Sequence, residues 1–225
     1  MKILILAAMD KELQLIKNIL DNPEVLSYEN GLLEHGTISA HEVYAAKCGI
    51  GKVNAALNAS MLIKEFNPDL VINSGVAGGA GIPIGSVLVA DRVAYDDVWC
   101  GPGTNYGQAD GCPLFFTPAP NIIQLAKTIV NEGGIRFGLI CTGDKFISTH
   151  EEIQFIRTKF PDVQAVDMES AAIAQACYTS STPFNIIRVV SDTPGEGENI
   201  SQYQNFWQEA PQKTFNVVKM LIENL

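Results

Sequence analysis

Short apolar runs recur along the chain, and most are followed by a turn or by a segment with helical spacing. Residues 3–9 open the series and read as a buried strand. Residues 11–20 then place Leu13, Ile16 and Leu20 on one helical face, until Asp21-Asn22-Pro23 breaks the pattern. Residues 31–38 and 42–48 alternate about Ser39-Ala40-His41 and predict a hairpin. Gly49-Ile50-Gly51 turns into a helix over 52–66, with Val53, Ala56, Leu57 and Ser60 inward, stopped by Asn67-Pro68-Asp69. A strand is predicted over 70–73. Gly75, Gly78, Gly79 and Gly81 crowd the loop expected after it, where bare backbone can approach a ligand closely. Neither that stretch nor Gly49-Ile50-Gly51 completes a dinucleotide fingerprint.

The second half continues in the same way. A strand over 87–95 leads into a long Gly- and Pro-rich surface excursion over 96–120. A helix over 121–132, a strand over 135–141 and a loop over 142–148 follow. Thr149-His150-Glu151-Glu152 has the form of a capping sequence for a helix over 151–160, which accounts for His150. Residues 162–166 have β character, and Ala171, Ala172, Ile173, Ala174, Ala176 and Cys177 read as an apolar helix. Residues 184–192 are almost continuously apolar, as in a buried parallel strand. A polar loop over 196–201 precedes a last helix over 203–224, with Phe215, Val218 and Ile222 on one face and Pro211 kinking or splitting it. The expected architecture is a single α/β domain spanning 1–225 with a mixed sheet.

Composition narrows the function. The chain is 47% hydrophobic and 18% charged, as an ordinary globular protein is. A net charge of −10 argues against a nucleic-acid partner. No run approaches the ~20 apolar residues of a membrane span, and the first apolar run ends in Asp10-Lys11-Glu12 without a cleavage site. The five cysteines, Cys48, Cys100, Cys112, Cys141 and Cys177, contain no C-x-x-C pair and read as the reduced thiols of a cytoplasmic protein. The three histidines lack metal-ligand spacing, so neither a metal nor a cofactor is expected.

The candidate chemistry lies where strands end. Asp167 and Glu169 bracket Met168 at a strand-to-helix junction, with Ser170 just inside, and such junctions face the ligand crevice of α/β proteins. Acids are also favoured there as caps: Asp167 reads as a cap, while Glu169 is open between cap and ligand. Asp192 ends the apolar strand 184–192, and Glu12 follows the first strand. Three carboxylates at three strand ends can converge in one crevice and divide acid, base and binding roles. Arg188, on an otherwise apolar strand, is expected to pair with an acid. Ser191 either orients Asp192 or caps a turn, and Asp144 reads as a turn residue.

The order of motifs points further. Ala8-Met9-Asp10-Lys11-Glu12, Cys48-Gly49-Ile50-Gly51-Lys52-Val53, Asn73-Ser74-Gly75-Val76-Ala77-Gly78-Gly79, Gly143-Asp144-Lys145-Phe146-Ile147, Val166-Asp167-Met168-Glu169 and Arg188-Val189-Val190-Ser191-Asp192 run in register across the chain. In this order they resemble the methylthioadenosine/S-adenosylhomocysteine nucleosidases. The resemblance implies a three-layer α/β/α sandwich of the nucleoside phosphorylase type, built on a central mixed β-sheet. It also implies hydrolysis of an N-ribosidic bond with release of adenine.

Asp192 is then the acid that protonates the departing purine, held protonated by burial. Glu12 orients and deprotonates the attacking water, and Glu169 grips the ribose hydroxyls. The resemblance sets Phe146 against the purine face, the Ile147 backbone on its edge and Met168 along the ribose. It puts Ile50 toward the 5′ substituent, and Ala8, Gly78, Val76 and Ser191 around the substrate. Two departures stand out: Val76 occupies a position where many relatives have Ser, and residues 96–106 lack the family's usual pattern. That region lies at the dimer interface in the family. Val98, Trp99, Leu114, Phe115 and Phe116 on the excursion are accordingly expected to be covered in a homodimer. The alternatives are a phosphorylase of the same superfamily, a nucleosidase acting on a futalosine-type substrate, and a non-catalytic nucleoside-binding module.

Overall fold

Strand β1 (Lys2–Ala7) is wholly apolar after Lys2 and fully buried. That suits a strand with parallel neighbours on both sides and helices over both faces. The computed structural model describes residues 1–29, 31–129, 135–209 and 212–225. After β1 come α1 (Asp10–Lys17), β2 (Asp21–Tyr28), β3 (Gly31–Ile38), β4 (His41–Lys47), α2 (Lys52–Phe66), β5 (Leu70–Gly79) and β6 (Val87–Tyr95). The remainder is α3 (Pro120–Ile129), β7 (Ile135–Thr142), α4 (His150–Lys159), β8 (Val163–Asp167), α5 (Ser170–Ser180), β9 (Phe184–Asp192), α6 (Asn199–Glu209) and α7 (Gln212–Glu223).

The strands form one mixed sheet in the order β2-β3-β4-β1-β5-β8-β7-β6-β9, and β9 also pairs with β5. That last pairing is parallel and long, from Val71 opposite Phe184 to Gly78 opposite Asp192. The second half of the sheet therefore curls into a closed ring rather than lying open. One face packs on α2 and α5 through residues such as Ala55, Leu62, Ala171 and Ile173. The other packs on α1, α3 and α7 through Ile16, Ile122, Phe215 and Val218. These are the three layers of the expected sandwich.

Several expectations need correction. The Asp21-Asn22-Pro23 break belongs to β2, an antiparallel edge strand on β3 with an irregular register between Asp21 and Glu24. An edge tolerates proline, and most of this strand is exposed, so it shows no buried alternation. The glycine loop after 73 is mostly strand: β5 runs on through Gly75, Gly78 and Gly79, leaving Gly81 beyond it. Helix α2 is turned from its expected face. Ala55, Ala59, Leu62 and Ile63 are buried, while Val53, Leu57 and Ser60 are exposed and Ala56 is half-buried. Small residues face α5, itself rich in alanine, because close helix packing leaves no room for larger ones. The polar loop over 196–201 is cut short by α6, which starts at Asn199. Pro211 and the end of the predicted helix 121–132 lie outside the described residues.

Residues 96–119 form the expected excursion without helix or strand, pinned by a Val93–Phe116 bridge. Its apolar side chains are largely covered by the chain itself: Phe116 is buried, and Leu114 and Phe115 pack on the core around Ile153 and Phe160. Trp99 is the large exception, 60% exposed. Among the described residues no helix is long and apolar enough to cross a membrane.

Candidate active site

Glu12 sits in the first turn of α1, where its carboxylate turns back on the end of β1. Oε2 accepts from the Ala8 and Met9 N–H groups at 2.8 and 3.1 Å, and Oε1 accepts from the Val76 N–H of β5 at 3.1 Å. The side chain thus caps α1 and bridges the end of β1 to the middle of β5, with Glu12 only 2% exposed. Gly75 makes this possible: a Cβ there would lie 2.5 Å from Glu12 Oε1. Val76 thus contributes its backbone donor to the site.

At the β8–α5 junction the two acids have separate tasks. Asp167 is tied into the interior: it pairs with Arg188 Nε at 2.9 Å and accepts from Thr142 Oγ1 at 2.6 Å, and from the Ser170 hydroxyl and N–H. Asp167 is thus a cap and also the partner of Arg188. The guanidinium is further bound to Asn73 Oδ1 and the Ile187 carbonyl, so each of its three nitrogens has a partner in the interior. Glu169 instead points toward the turn before α2, where its Oε1 accepts from the Gly51 N–H at 2.9 Å.

Asp192 ends β9 at a register shift between Ala77 and Gly78, where Ser191 is the extra residue. Bulges of this kind re-aim side chains at sites. Ser191 Oγ donates to Asp192 Oδ1 at 2.7 Å, so of the two readings it orients the acid. Asp144, beyond being a turn residue, accepts from the Lys52 N–H at 2.7 Å and caps α2 from across the site.

One cavity gathers most of the residues singled out from the sequence. Ala8, Glu12, Ile50, Val76, Gly78, Phe146, Met168, Glu169, Ser191 and Asp192 all line it. Ile147 does not; it lines a smaller adjoining cavity that shares Gly78, Phe146, Met168 and Asp192. Met9, Ala77, Val166, Asp167 and Tyr203 complete the main wall. Tyr203 of α6 meets the Phe146 ring edge-on at 5.7 Å between centroids, and its hydroxyl lies 3.4 Å from Met9 Sδ. The sequence reading missed Tyr203 because α6 was expected to start there, which gave the residue no upstream register. Asn199, one turn earlier, was missed for the same reason; its Nδ2 donates to the Ile147 carbonyl at 3.2 Å and to Asp192 Oδ2 at 3.4 Å.

A model of the phosphorylase superfamily matches residues 2–223. The 5′-methylthioadenosine/S-adenosylhomocysteine nucleosidase of Lysinibacillus sphaericus is 37% identical over 231 residues, covering 100% of both chains. The chain belongs to the 5′-methylthioadenosine/S-adenosylhomocysteine nucleosidase family. The S. pneumoniae nucleosidase, solved with the transition-state inhibitor MT-ImmA, is similar with a TM-score of 0.95 and 36% identity, over 100% of this chain and 99% of that one. A futalosine hydrolase mutant of Helicobacter pylori is more distant at 26% identity, with a TM-score of 0.92 over 100% and 99%.

Within this nucleosidase-family site, burial dominates the electrostatics. It raises Glu12 above the ordinary carboxylate range, against the pull of the Arg188 charge and three backbone donors. It raises Glu169 to about 7, with help from the neighbouring Asp167 charge. Asp192 is raised by burial as well, opposed by the Ser191 and Asn199 hydrogen bonds. No Lys, Arg or His is among the described residues lining the cavity. Arg188 does act on Glu12 through space, although the sequence around the first strand gave no sign of a nearby arginine.

Proposed function

We propose that this protein hydrolyses the N-ribosidic bond of 5′-methylthioadenosine and S-adenosylhomocysteine and releases adenine, as an N-glycosyl hydrolase serving methionine salvage in the cytoplasm. The observation that carries the reading is the convergence of Glu12, Glu169 and Asp192 on one cavity with no cationic lining. Asp192 donates a proton to the five-membered ring of the departing purine, which burial favours by raising the acid above the ordinary carboxylate range. Glu12 takes a proton from the attacking water. Three of its lone pairs are held by backbone N–H groups, which fixes the carboxylate and leaves one free. Glu169 receives the ribose hydroxyls, and its negative charge favours the oxocarbenium character of the sugar.

Phe146 lies on the purine face, Ile147 on its edge and Met168 along the ribose. Ile50, Met9 and Val76 make an apolar floor for the 5′ substituent. An apolar group buried there discriminates by ~1–3 kcal/mol. A phosphorylase would need donors for an anion, and the cavity offers carboxylates instead. A futalosine-type substrate is the weaker reading, since the relative with that name is 26% identical against 37% for the Lysinibacillus nucleosidase.

The test is release of the free purine base in phosphate-free buffer, adenine from methylthioadenosine, S-adenosylhomocysteine, adenosine and AMP, and hypoxanthine from inosine. The expected order by kcat/KM is methylthioadenosine at or above S-adenosylhomocysteine, then adenosine, with inosine and AMP far behind. A strict need for phosphate, with a sugar phosphate as product, overturns hydrolysis. Inosine or AMP in first place overturns the pocket.

A further inference from the structure

Asn199 is the first residue of α6, and it is only 4% exposed. An asparagine that merely starts a helix uses its side-chain oxygen on a nearby N–H. Here the working atom is the nitrogen, and both of its partners are acceptors: the Ile147 carbonyl at 3.2 Å and Asp192 Oδ2 at 3.4 Å. Only an NH2 group, with two hydrogens, satisfies both, which fixes the orientation of the amide. The loop between Asp192 and α6 is braced independently, since the Thr193 N–H donates to Gln202 Oε1 at 2.9 Å and the Asn199 N–H to the Glu196 carbonyl at 3.1 Å. The side chain of Asn199 is therefore not needed to close that loop.

We infer that Asn199 is a positioning residue: its one amide holds the Asp192 carboxyl and the Ile147 carbonyl in a fixed relation, so the proton donor and the purine edge are presented together. This rests on Asp192 being the acid, as proposed above. Ser191 holds one oxygen of the carboxyl and Asn199 the other, which removes rotation about the bond that carries it. Both donors favour the ionised form and oppose burial, so losing one should make the acid keep its proton to higher pH. Glu12, Glu169, Asp167 and Tyr203 share the cavity with Asp192 and are unchanged by substitution at 199.

The experiment measures the pH profiles of kcat and kcat/KM for methylthioadenosine, extended far enough to show both limbs, in wild type, Asn199→Ala and Asn199→Asp. Thermal unfolding is followed beside it. The expected result is a fall in kcat of about tenfold in Asn199→Ala, the effect of one lost hydrogen bond. The basic limb should move up in Asn199→Ala and further in Asn199→Asp, whose carboxylate repels that of Asp192. Basic limbs that superimpose on wild type in both variants overturn the inference. Failure of both to fold assigns Asn199 a structural role and overturns it too. Asp192→Asn, run alongside, separates the two ideas. Full activity there removes the acid itself, whereas an inert Asp192→Asn with unmoved Asn199 profiles removes only the positioning role.

Discussion

Glu12 and Asp192 are both carboxylates raised by burial, yet their partners differ in kind. Three backbone N–H groups grip Glu12, whereas Asp192 has one hydroxyl and one long amide contact. The tighter grip fixes the direction of the Glu12 carboxylate, which suits the water-orienting role proposed for it. Asp192→Asn and Glu12→Gln keep the shapes and remove the proton chemistry, so each should lower kcat by ~10²–10⁴ with the circular dichroism unchanged. A near-normal rate in either moves its role elsewhere. Asp96 poses a different question. It is 6% exposed, its Oδ2 lacks a partner among the described residues, and burial followed by repulsion from Asp97 raises it to about 7. Between pH 4 and 7 the folded chain keeps a proton that the unfolded chain has already released. Stability from this group is thus undiminished at low pH, falls as pH rises through that window, and levels off above about 7. Asp96→Asn should melt close to wild type at pH 4 and higher by ~5 °C or more at pH 8, a gap of roughly 2–4 kcal/mol. A gap independent of pH would show that Asp96 is not the titrating group.

Strand β5 shows how an element carries the site. Its glycines are strand residues whose missing side chains leave room for others: Glu12 beside Gly75, and Pro194 beside Gly78, where a Cβ would meet the ring at 2.7 Å. Gly75→Ala should push the Glu12 carboxylate aside and cost about 10²-fold in kcat while the sheet persists. Adding Glu12→Gln to it should do little more damage than Glu12→Gln alone, since both act on one group. Additive losses would mean that Gly75 serves something else. The three acids were legible from sequence because each follows an apolar run, and the run marks the strand end. Asn199 and Tyr203 were not legible: a polar stretch hides the start of α6, and nothing local reveals which helix face meets a distant strand. The bulge at Ser191 is a property of pairing with β5, so β9 alone could not announce it. Strand β2 was missed because an exposed edge carries no buried alternation, and the face of α2 because alanines signal close packing less loudly than the leucine and valine they displace.

At the scale of the molecule, the surface beside the site is unusually apolar. Ile50, Val53, Leu57 and Trp99 are 51%, 68%, 58% and 60% exposed. They form one neighbourhood: Val53 and Leu57 lie one turn apart on α2, and Lys52 Nζ binds Asp97 at 2.6 Å, holding the loop that carries Trp99 against the start of that helix. Ile50 belongs at once to this surface and to the cavity wall. We propose that a second copy of the chain covers the patch in a C₂ homodimer, the excursion contributing chiefly Trp99 now that Phe115 and Phe116 are known to pack inward. Light scattering at micromolar concentration should then give twice the chain mass of 24.4 kDa. Leu57→Glu places a charge in the middle of the patch and should yield a folded monomer. Because the covered face continues into the 5′ floor at Ile50, that monomer should lose kcat/KM on methylthioadenosine by about tenfold or more, the value of a small apolar group. Adenosine, with only a hydroxyl at the 5′ position, should suffer less. A wild-type chain that runs as a monomer would leave the patch without a partner. A Leu57→Glu monomer with unchanged preference for methylthioadenosine would show that each copy builds its own 5′ pocket.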